Sequence, residues 1–379
     1  MSVSRMSFWL ASPGWRLAGS GTPVFRRLRL LHAFFWKISG LMLPASLANR
    51  GREGSARGIL GWRVAGAAWI AIAVLPGLFV PVGADAESGV AEPLPARLLL
   101  LDGAVAGSRL IVVGERGHIL VSSDDGASWK LAEVPTRVML TAIYMHDAET
   151  GWAVGHDAVI LRTADGGETW TKVHEAPEEE LPLLDVWFRD GQRGLAVGAY
   201  GYALATEDGG ETWTSHAISE DDFHLNALVP AKDRENGFER LYIAAEAGVI
   251  YRSDDGGETW QELPSPYAGS WFGGLALDEN QLLLAGLRGH LFRSEDGGVS
   301  WAEVPTGTQA TLTGAVRHPS GEIVITGLEG SVLTSRDGGR NVSSRNLPTR
   351  EGISTTLPLL DGAALLIGEF GTARLPLGE

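Results

Sequence analysis

The sequence predicts an all-β protein, a seven-bladed β-propeller preceded by an N-terminal signal or hydrophobic segment. Three observations support this fold: glycine supplies 50 of the 379 residues, one turn sequence recurs at regular spacing, and an apolar strand–turn–strand pattern recurs seven times. Glycine at nearly double its usual frequency, without a collagen period, indicates many tight turns between short strands.

An eight-residue box, Ser/Thr-x-Asp-x-Gly-x-Ser/Thr-Trp, recurs through the second part of the chain. Its complete copies are SSDDGASW at 122–129, TADGGETW at 163–170, TEDGGETW at 206–213, SDDGGETW at 253–260 and SEDGGVSW at 294–301. A sixth copy, SRDGGRNV at 335–342, ends in Val342 instead of tryptophan. Successive copies are 41 to 47 residues apart. A period of this length with several short strands per repeat is typical of a propeller.

A strand–turn–strand pattern precedes each box and occurs once more after the last box. The seven copies are LIVVGERGHILVS, WAVGHDAVILRT, LAVGAYGYALAT, YIAAEAGVIYRS, LLAGLRGHLFRS, IVITGLEGSVLTS and LLIGEFGTARLP. The strand before each turn is nearly all apolar, as expected for a strand buried on both faces between stacked blades. The seventh blade, from Ile353 onward, lacks a fourth strand. We predict that residues 87–96 supply it and close the ring, which removes an exposed sheet edge.

Charge divides the chain at about residue 86. Residues 1–86 contain 10 Lys and Arg against two acidic residues, whereas residues 87–379 contain 21 basic and 44 acidic residues. Residues 57–86 hold an apolar run that ends in a small-x-small pattern, which favours export to the periplasm by a cleaved signal peptide. A retained inner-membrane anchor is the alternative, although proline and glycine interrupt the run. Residues 1–56 are an unassigned extension, and translation is expected to start downstream.

The absence of cysteine and the net charge of −15 exclude several classes of function. Without cysteine there is no disulfide scaffold, no thiolate metal site and no cysteine nucleophile. An acidic chain is not expected to bind nucleic acid, which requires a basic surface.

The boxes are interpreted as structural turns. Ser or Thr and the following Asp can bond to the backbone of a tight turn, glycine supplies its backbone angles, and tryptophan packs into the blade. A calcium loop would need a different ligand spacing and a distal Glu, so no metal is predicted. The structural residues are Asp124, Trp129, Asp165, Trp170, Asp208, Trp213, Asp255, Trp260, Asp296, Trp301 and Asp337.

These boxes resemble the Asp-box (BNR) repeats of sialidases and other propellers. The segments GERGHILVSSDDGASW and GWAVGHDAVILRTADGGETW resemble the photosystem II stability/assembly factor family, and the resemblance covers about residues 95–379. It implies a non-catalytic seven-bladed propeller that helps to assemble membrane proteins, with photosynthesis as the process in photosynthetic members. Those relatives have an arginine-rich surface patch, which cannot be matched here position by position.

A glycan-binding or sialidase-like propeller is the alternative. Sialidases use a tyrosine nucleophile, an acidic partner and an arginine clamp. Here Tyr200 and Tyr202 have no Glu at a diagnostic spacing, and the Arg-Ile-Pro motif is absent, although Arg97 and Arg116 occur in that region. A Tyr–Glu pair beside three converging arginines in the central funnel would favour this alternative.

Basic residues are predicted to cluster on the face opposite the boxes, where the D-to-A and B-to-C connections meet. The predicted partner-binding residues are Arg97, Arg116, His118, Arg137, Arg288, His290 and Arg350. Arg350, Arg97 and Arg137 enter the consecutive blades 7, 1 and 2, whereas Glu178–Glu180 and Asp221–Asp222 enter blades 3 and 4. Such a polarised face would orient a charged partner. Solvated loops with no partner are the alternative.

Taken together, these features predict an exported, monomeric, non-enzymatic interaction or assembly platform. Its predicted partner is a membrane or periplasmic protein, with no cofactor and no small-molecule substrate.

Overall fold

Seven antiparallel sheets follow one another along the chain in the computed structural model, which describes residues 98–232 and 239–377. The first strand of each sheet contacts the first strands of the neighbouring sheets, and the first sheet also contacts the seventh. The sheets therefore form a ring, and the predicted all-β, seven-bladed propeller is confirmed.

Blades 1–6 each have four strands, A to D, from the centre of the ring outward. Blade 1 consists of β1 Leu100–Ala106, β2 Arg109–Gly114, β3 Ile119–Ser122 and β4 Lys130–Leu131. Blade 2 consists of β5 Leu140–Met145, β6 Gly151–Gly155, β7 Ile160–Thr163 and β8 Thr171–His174. Blade 3 consists of β9 Leu183–Phe188, β10 Gly194–Gly198, β11 Ala203–Thr206 and β12 Thr214–Ser215. Blade 4 consists of β13 Leu225–Lys232, β14 Glu239–Ala245, β15 Ile250–Ser253 and β16 Gln261–Glu262.

Blades 5 and 6 repeat this arrangement, and blade 7 has three strands in the part of the chain that is described. Blade 5 consists of β17 Trp271–Ala276, β18 Leu282–Gly286, β19 Leu291–Ser294 and β20 Ala302–Glu303. Blade 6 consists of β21 Leu312–Arg317, β22 Ile323–Gly327, β23 Ser331–Ser335 and β24 Ser343–Asn346. Blade 7 consists of β25 Ile353–Pro358, β26 Ala364–Gly368 and β27 Gly371–Leu375.

The predicted N-terminal features lie outside the described residues: the extension 1–56, the apolar segment 57–86 and the closing strand 87–96. Between residues 98 and 377, the described segments contain no helix that is long and apolar enough to cross a membrane.

Strand B forms the core because both of its faces meet a neighbouring blade. In blade 2 every residue of this strand is buried, as the apolar sequence predicts. Trp152 stacks on Phe188 of blade 3 with ring centroids 3.4 Å apart, whereas the next residue, Ala153, packs in the cluster towards blade 1. Alternate side chains thus fill the two interfaces, since successive residues of a strand point to opposite faces.

The connections divide between two faces of the ring. The turn between strands B and C lies beside the connection into the next blade: the Ala158 amide donates to the Leu181 carbonyl, and the Gly201 amide donates to the Phe223 carbonyl. We call this side the turn face. On the opposite side, the box face, the Gly166 amide of a box donates to the Glu149 carbonyl in the hairpin between strands A and B. This division agrees with the sequence prediction.

Candidate functional site: the turn face

Each of the first six B–C turns has a non-glycine residue in the left-handed region of backbone space at the same position, and in blade 2 Ala158 follows as a second one. At the shared position φ lies between 55° and 57°, and the six residues are Arg116, Asp157, Tyr200, Ala247, Arg288 and Glu329. Bulky side chains are strained in this conformation, at about 1 kcal/mol or more each, and such strain is concentrated at functional sites. Turns of similar backbone conformation therefore present different side chains on the turn face of each blade.

The structure brings two of the predicted basic residues together. A Cβ built on Gly117 would lie 3.2 Å from the Cα of Arg137, so the turn that carries Arg116 packs against the connection that carries Arg137. Arg350 lies beside the B–C turn of blade 6, in the connection that enters blade 7. Blade 7 adjoins blade 1, where the Ser354 hydroxyl donates to the Leu100 carbonyl at 3.0 Å.

The other predicted residues are placed differently. Arg97 lies outside the described residues. His118 opens strand C of blade 1, and its Nδ1 is buried without a hydrogen-bond partner. Arg288 and His290 lie on the turn face in blade 5, and blades 6 and 7 separate them from blade 1. The two basic residues of blade 5 are therefore separate from those of blade 1 on this face.

The turn-face arginines are exposed and unpaired. The side chains of Arg116, Arg137, Arg288 and Arg350 form no ion pair or hydrogen bond with any residue in the described segments. The guanidinium groups are thus available to an external anion, because no carboxylate of residues 98–232 or 239–377 is paired with them.

Most box-face arginines, in contrast, are bound within the chain. Arg109 contacts Glu168 at 3.2 Å and donates to the Asp165 carbonyl of the next blade at 2.8 Å. Arg240 contacts Asp254 at 2.6 Å. Further pairs are Arg193–Asp190, Arg252–Asp254, Arg293–Glu295, Arg336–Glu322, Arg340–Glu295 and Arg374–Asp361.

The box carboxylates are likewise occupied by their own turns. In blade 2, Asp165 accepts hydrogen bonds from the Thr163 hydroxyl at 2.8 Å, the Thr169 amide at 3.0 Å and the Thr169 hydroxyl at 2.6 Å. Trp170 then donates from Nε1 to the Gly167 carbonyl at 3.0 Å and is buried between blades 1 and 2. The box thus does what the sequence predicts of a turn, since its oxygens bond to its own backbone and hydroxyl groups.

The degenerate sixth box keeps this network without tryptophan. Asn341 replaces the usual Ser or Thr, and its Nδ2 donates to Asp337 at 2.7 Å. Val342 packs against the apolar cluster between blades 5 and 6, with Leu283 among its members. Blade 6 packing is therefore retained despite the missing aromatic ring.

The acidic side of the turn face contains a Tyr–Glu pair that the sequence did not reveal, at the start of strand C and not in the central funnel, where the sialidase-like alternative requires it. Burial, followed by a hydrogen bond to Glu179 and the charge of that carboxylate, raises the pKa of Tyr202 to about 12. The Tyr200 amide donates to Nδ1 of His224 at 3.0 Å, and the two rings meet edge to face. Burial lowers the pKa of His224 in spite of the nearby Glu246 carboxylate. Within residues 98–232 and 239–377, Glu179 forms no ion pair with an arginine.

The comparisons with known proteins match this fold and its repeats. The sequence profile of the family described as "Photosynthesis system II assembly factor YCF48" matches residues 94–182 and 175–341. The photosystem II stability/assembly factor HCF136 of Arabidopsis thaliana is 29% identical over 89 residues, which cover 21% of this chain and 22% of that protein. The protein of the same name from Cyanidioschyzon merolae is 33% identical over 81 residues, covering 20% and 18%. Each match thus spans about a fifth of the relative.

Solved structures match the fold over a larger share. A structure of YCF48 bound to D1 peptide has a TM-score of 0.62 at 16% identity, covering 75% of this chain and 95% of that one. YCF48 from Cyanidioschyzon merolae has a TM-score of 0.59 at 16% identity, covering 75% and 97%. A streptogramin B lyase has a TM-score of 0.61 at 14% identity, covering 76% and 96%. At these identities the similarity shows the fold alone, because one fold supports many functions.

Proposed function

Because the chain belongs to the family of the photosynthesis system II assembly factor YCF48, we propose that it is a non-catalytic platform that holds a protein partner during assembly. The proposed partner is a membrane or periplasmic protein. The proposed location is the periplasmic side of the membrane, to which the apolar segment 57–86 would direct or tether the chain.

One observation supports the turn face as the binding surface: its arginines are unpaired, whereas most box-face arginines are bound within the chain. An exposed arginine without an internal partner contributes little to folding. Four such residues at strained or connecting positions of a rigid ring are instead suited to bind the carboxylates of another protein. One of the similar solved structures is a YCF48 bound to a D1 peptide, which supports a protein partner.

The sialidase-like alternative lacks support from the Tyr202–Glu179 pair. A tyrosine nucleophile would require a hydroxyl that loses its proton readily, whereas the pKa of Tyr202 is raised to about 12. The surrounding charges are acidic, and the unpaired arginines lie in other blades. We therefore propose binding and not glycoside hydrolysis as the function of this face.

The test is capture of partners from detergent-solubilised membranes of the source cell by the full chain with a C-terminal affinity tag. The matched bait carries Arg116→Glu, Arg137→Glu and Arg350→Glu, and a control bait carries Arg317→Glu, at the box-face end of strand A in blade 6. We expect wild type and control to enrich the same membrane protein and the folded triple variant to lose it. Equal enrichment by all three baits, or by none, contradicts the proposal.

A further inference from the structure

The sequence GLRGH in blade 5 forms a group of side chains that its near-copy GERGH in blade 1 does not form. His290 donates from Nδ1 to the Glu303 carboxylate at 3.0 Å, and Glu303 lies on strand D of the same blade. In blade 1 the position equivalent to Glu303 is Leu131, since each is paired with the central residue of strand C, Phe292 or Leu120. His118 consequently has no carboxylate partner at its buried Nδ1.

A tyrosine from the preceding connection completes the group. The ring of Tyr267 lies over the His290 ring with centroids 4.2 Å apart, and it also packs against Trp271 and Phe292. The Tyr267 backbone is fixed because its carbonyl accepts from the Ser265 hydroxyl at 2.9 Å. The hydroxyl of Tyr267, however, has no hydrogen-bond partner in the described part of the chain.

Arg288 lies two residues before His290, in the B–C turn of the same blade. Burial raises the pKa of Tyr267, and the positive charge of Arg288 acts in the opposite direction. Arg288 is held at φ 55° and is exposed and unpaired within the described residues. Arg288, His290 and Tyr267 therefore lie together on the turn face of blade 5, because Arg288 and His290 belong to one turn and the Tyr267 ring packs on the His290 ring.

We propose that Arg288, Tyr267 and His290 form a carboxylate-binding subsite for an acidic peptide segment of the partner. This deepens the proposed function and rests on it, because it assigns a second contact point on the same face. Arg288 pairs with the carboxylate, the Tyr267 hydroxyl donates a second hydrogen bond to it, and Glu303 fixes the orientation of His290 against the bound segment. Donors held in advance by packing bind a carboxylate without the cost of ordering flexible side chains.

The carboxylate could belong to an acidic side chain or to a chain terminus, and three fluorescent hexapeptides distinguish these sources. The first has one central Glu and an amidated C-terminus, the second has a free C-terminal carboxylate and no acidic side chain, and the third has neither. Affinities for the full chain in detergent are measured by fluorescence anisotropy at low ionic strength. We expect the third peptide to bind at least about tenfold more weakly than the better of the other two.

Two substitutions test the assignment, and each has a matched control. Arg288→Gln is expected to weaken binding of the carboxylate peptide about tenfold, and Tyr267→Phe about threefold. Neither substitution is expected to lower Tm. Tyr267→Phe removes only the hydroxyl and keeps the aromatic packing. Arg317→Gln, an exposed arginine on the box face, and Tyr251→Phe, whose hydroxyl bonds to Ser219 at 2.9 Å, should leave peptide affinity unchanged.

Equal affinity of wild type, Arg288→Gln and Tyr267→Phe for every peptide would overturn the subsite, as would equal binding of all three peptides to the wild type. This result is separable from the test of the proposed function. Capture of a membrane protein that is lost in the triple variant of Arg116, Arg137 and Arg350 supports the platform whatever blade 5 does. Loss of peptide binding on Arg288→Gln supports the subsite even if no membrane protein is captured.

Discussion

The two faces of the ring use the same residue types for opposite purposes. On the box face, Arg109 joins blade 1 to the box of blade 2, and Asp165 of that box binds its own turn. On the turn face, Arg116 and Arg137 lie on two segments that pack together, and neither forms an ion pair within the described residues. Paired charges fix the architecture on one face, and unpaired charges remain available for contact on the other. Stability and binding should therefore be separable by mutation.

Blade 7 is where the largest effect is expected, because it has no box after its last described strand. In blades 1, 4, 5 and 6, one residue of strand D pairs with a residue inside strand C. That strand D residue lies nine positions before the first residue of strand A in the next blade. The four pairs of that residue and the first residue of strand A are Leu131 and Leu140, Glu262 and Trp271, Glu303 and Leu312, and Ser344 and Ile353. If residues 87–96 form the missing fourth strand with the same spacing before Leu100, Ala91 would pair with Ala373 of β27.

This register makes the proposed closing strand testable with a disulfide. The chain has no cysteine, so the pair Ala91→Cys and Ala373→Cys is the only one that oxidation can form. We expect it to form readily and to stabilise the protein by about 4 kcal/mol relative to the reduced form, measured as a rise in Tm. The control pair, Ala91→Cys with Thr372→Cys, is one residue out of register and points to opposite faces. Equal oxidation of both pairs would rule out the register.

Acid should weaken the box face as a whole, because its carboxylates are stabilised in the charged form. Hydrogen bonds from the Ser128 hydroxyl and amide lower the pKa of Asp124 from 3.8 to about 2, and those from Thr212 lower the pKa of Asp208 to about 2. Folded pKa values below the unfolded value give stability that is present above pH 4 and is lost as the pH falls towards 2. Tm measured from pH 6 to pH 2 should drop steeply below pH 4.

The box variant Asp208→Asn supplies the control for this pH dependence. It should begin with a lower Tm at pH 6 and lose less on acidification, because one titrating group is missing. A decline as steep as that of the wild type would show that other carboxylates cause the acid sensitivity.

A single box substitution should have an intermediate effect. Asp165→Ala removes three hydrogen bonds, to Thr163 and Thr169, and is expected to cost about 2 kcal/mol of unfolding free energy. Asp221→Ala on the turn face removes a carboxylate of the acidic side and should change stability by less than about 0.5 kcal/mol. Urea unfolding of both variants measures the difference. Similar losses of unfolding free energy in Asp165→Ala and Asp221→Ala would mean that carboxylates on the two faces contribute equally to stability, which contradicts the comparison.

The repeats predicted the fold because the box spacing, the apolar strand pattern and the turn residues all indicated the same architecture. Box spacing indicated the period, the apolar strand before each turn indicated the buried strand B, and the box residues formed the expected turn. The candidate site was harder to predict, because it depends on which side chains different blades bring together. GERGH and GLRGH are nearly identical as sequences, yet only the second meets a Glu on strand D and a Tyr from the preceding connection.

The sequence also could not predict which charged side chains form ion pairs. Arg109 and Glu168 are far apart along the chain, and their contact depends on the packing of blade 1 against blade 2. Arg116 and Arg109 therefore look equivalent in the sequence of blade 1, although Arg109 is bound and Arg116 has no partner among the described residues. Burial and partners, not residue type, distinguish a structural arginine from one available for contact.

The smallest expected effect is the sharpest test of that distinction. Arg109→Ala should cost about 1 kcal/mol of unfolding free energy, since it removes the ion pair with Glu168 and the bond to the Asp165 carbonyl. Arg137→Ala should change it by less than about 0.5 kcal/mol, because its side chain has no partner in the described segments. Partner capture should respond in the reverse order, with Arg137→Ala the weaker bait. If Arg137→Ala instead destabilises the fold as much as Arg109→Ala does, its arginine is structural and the turn face is not the binding surface.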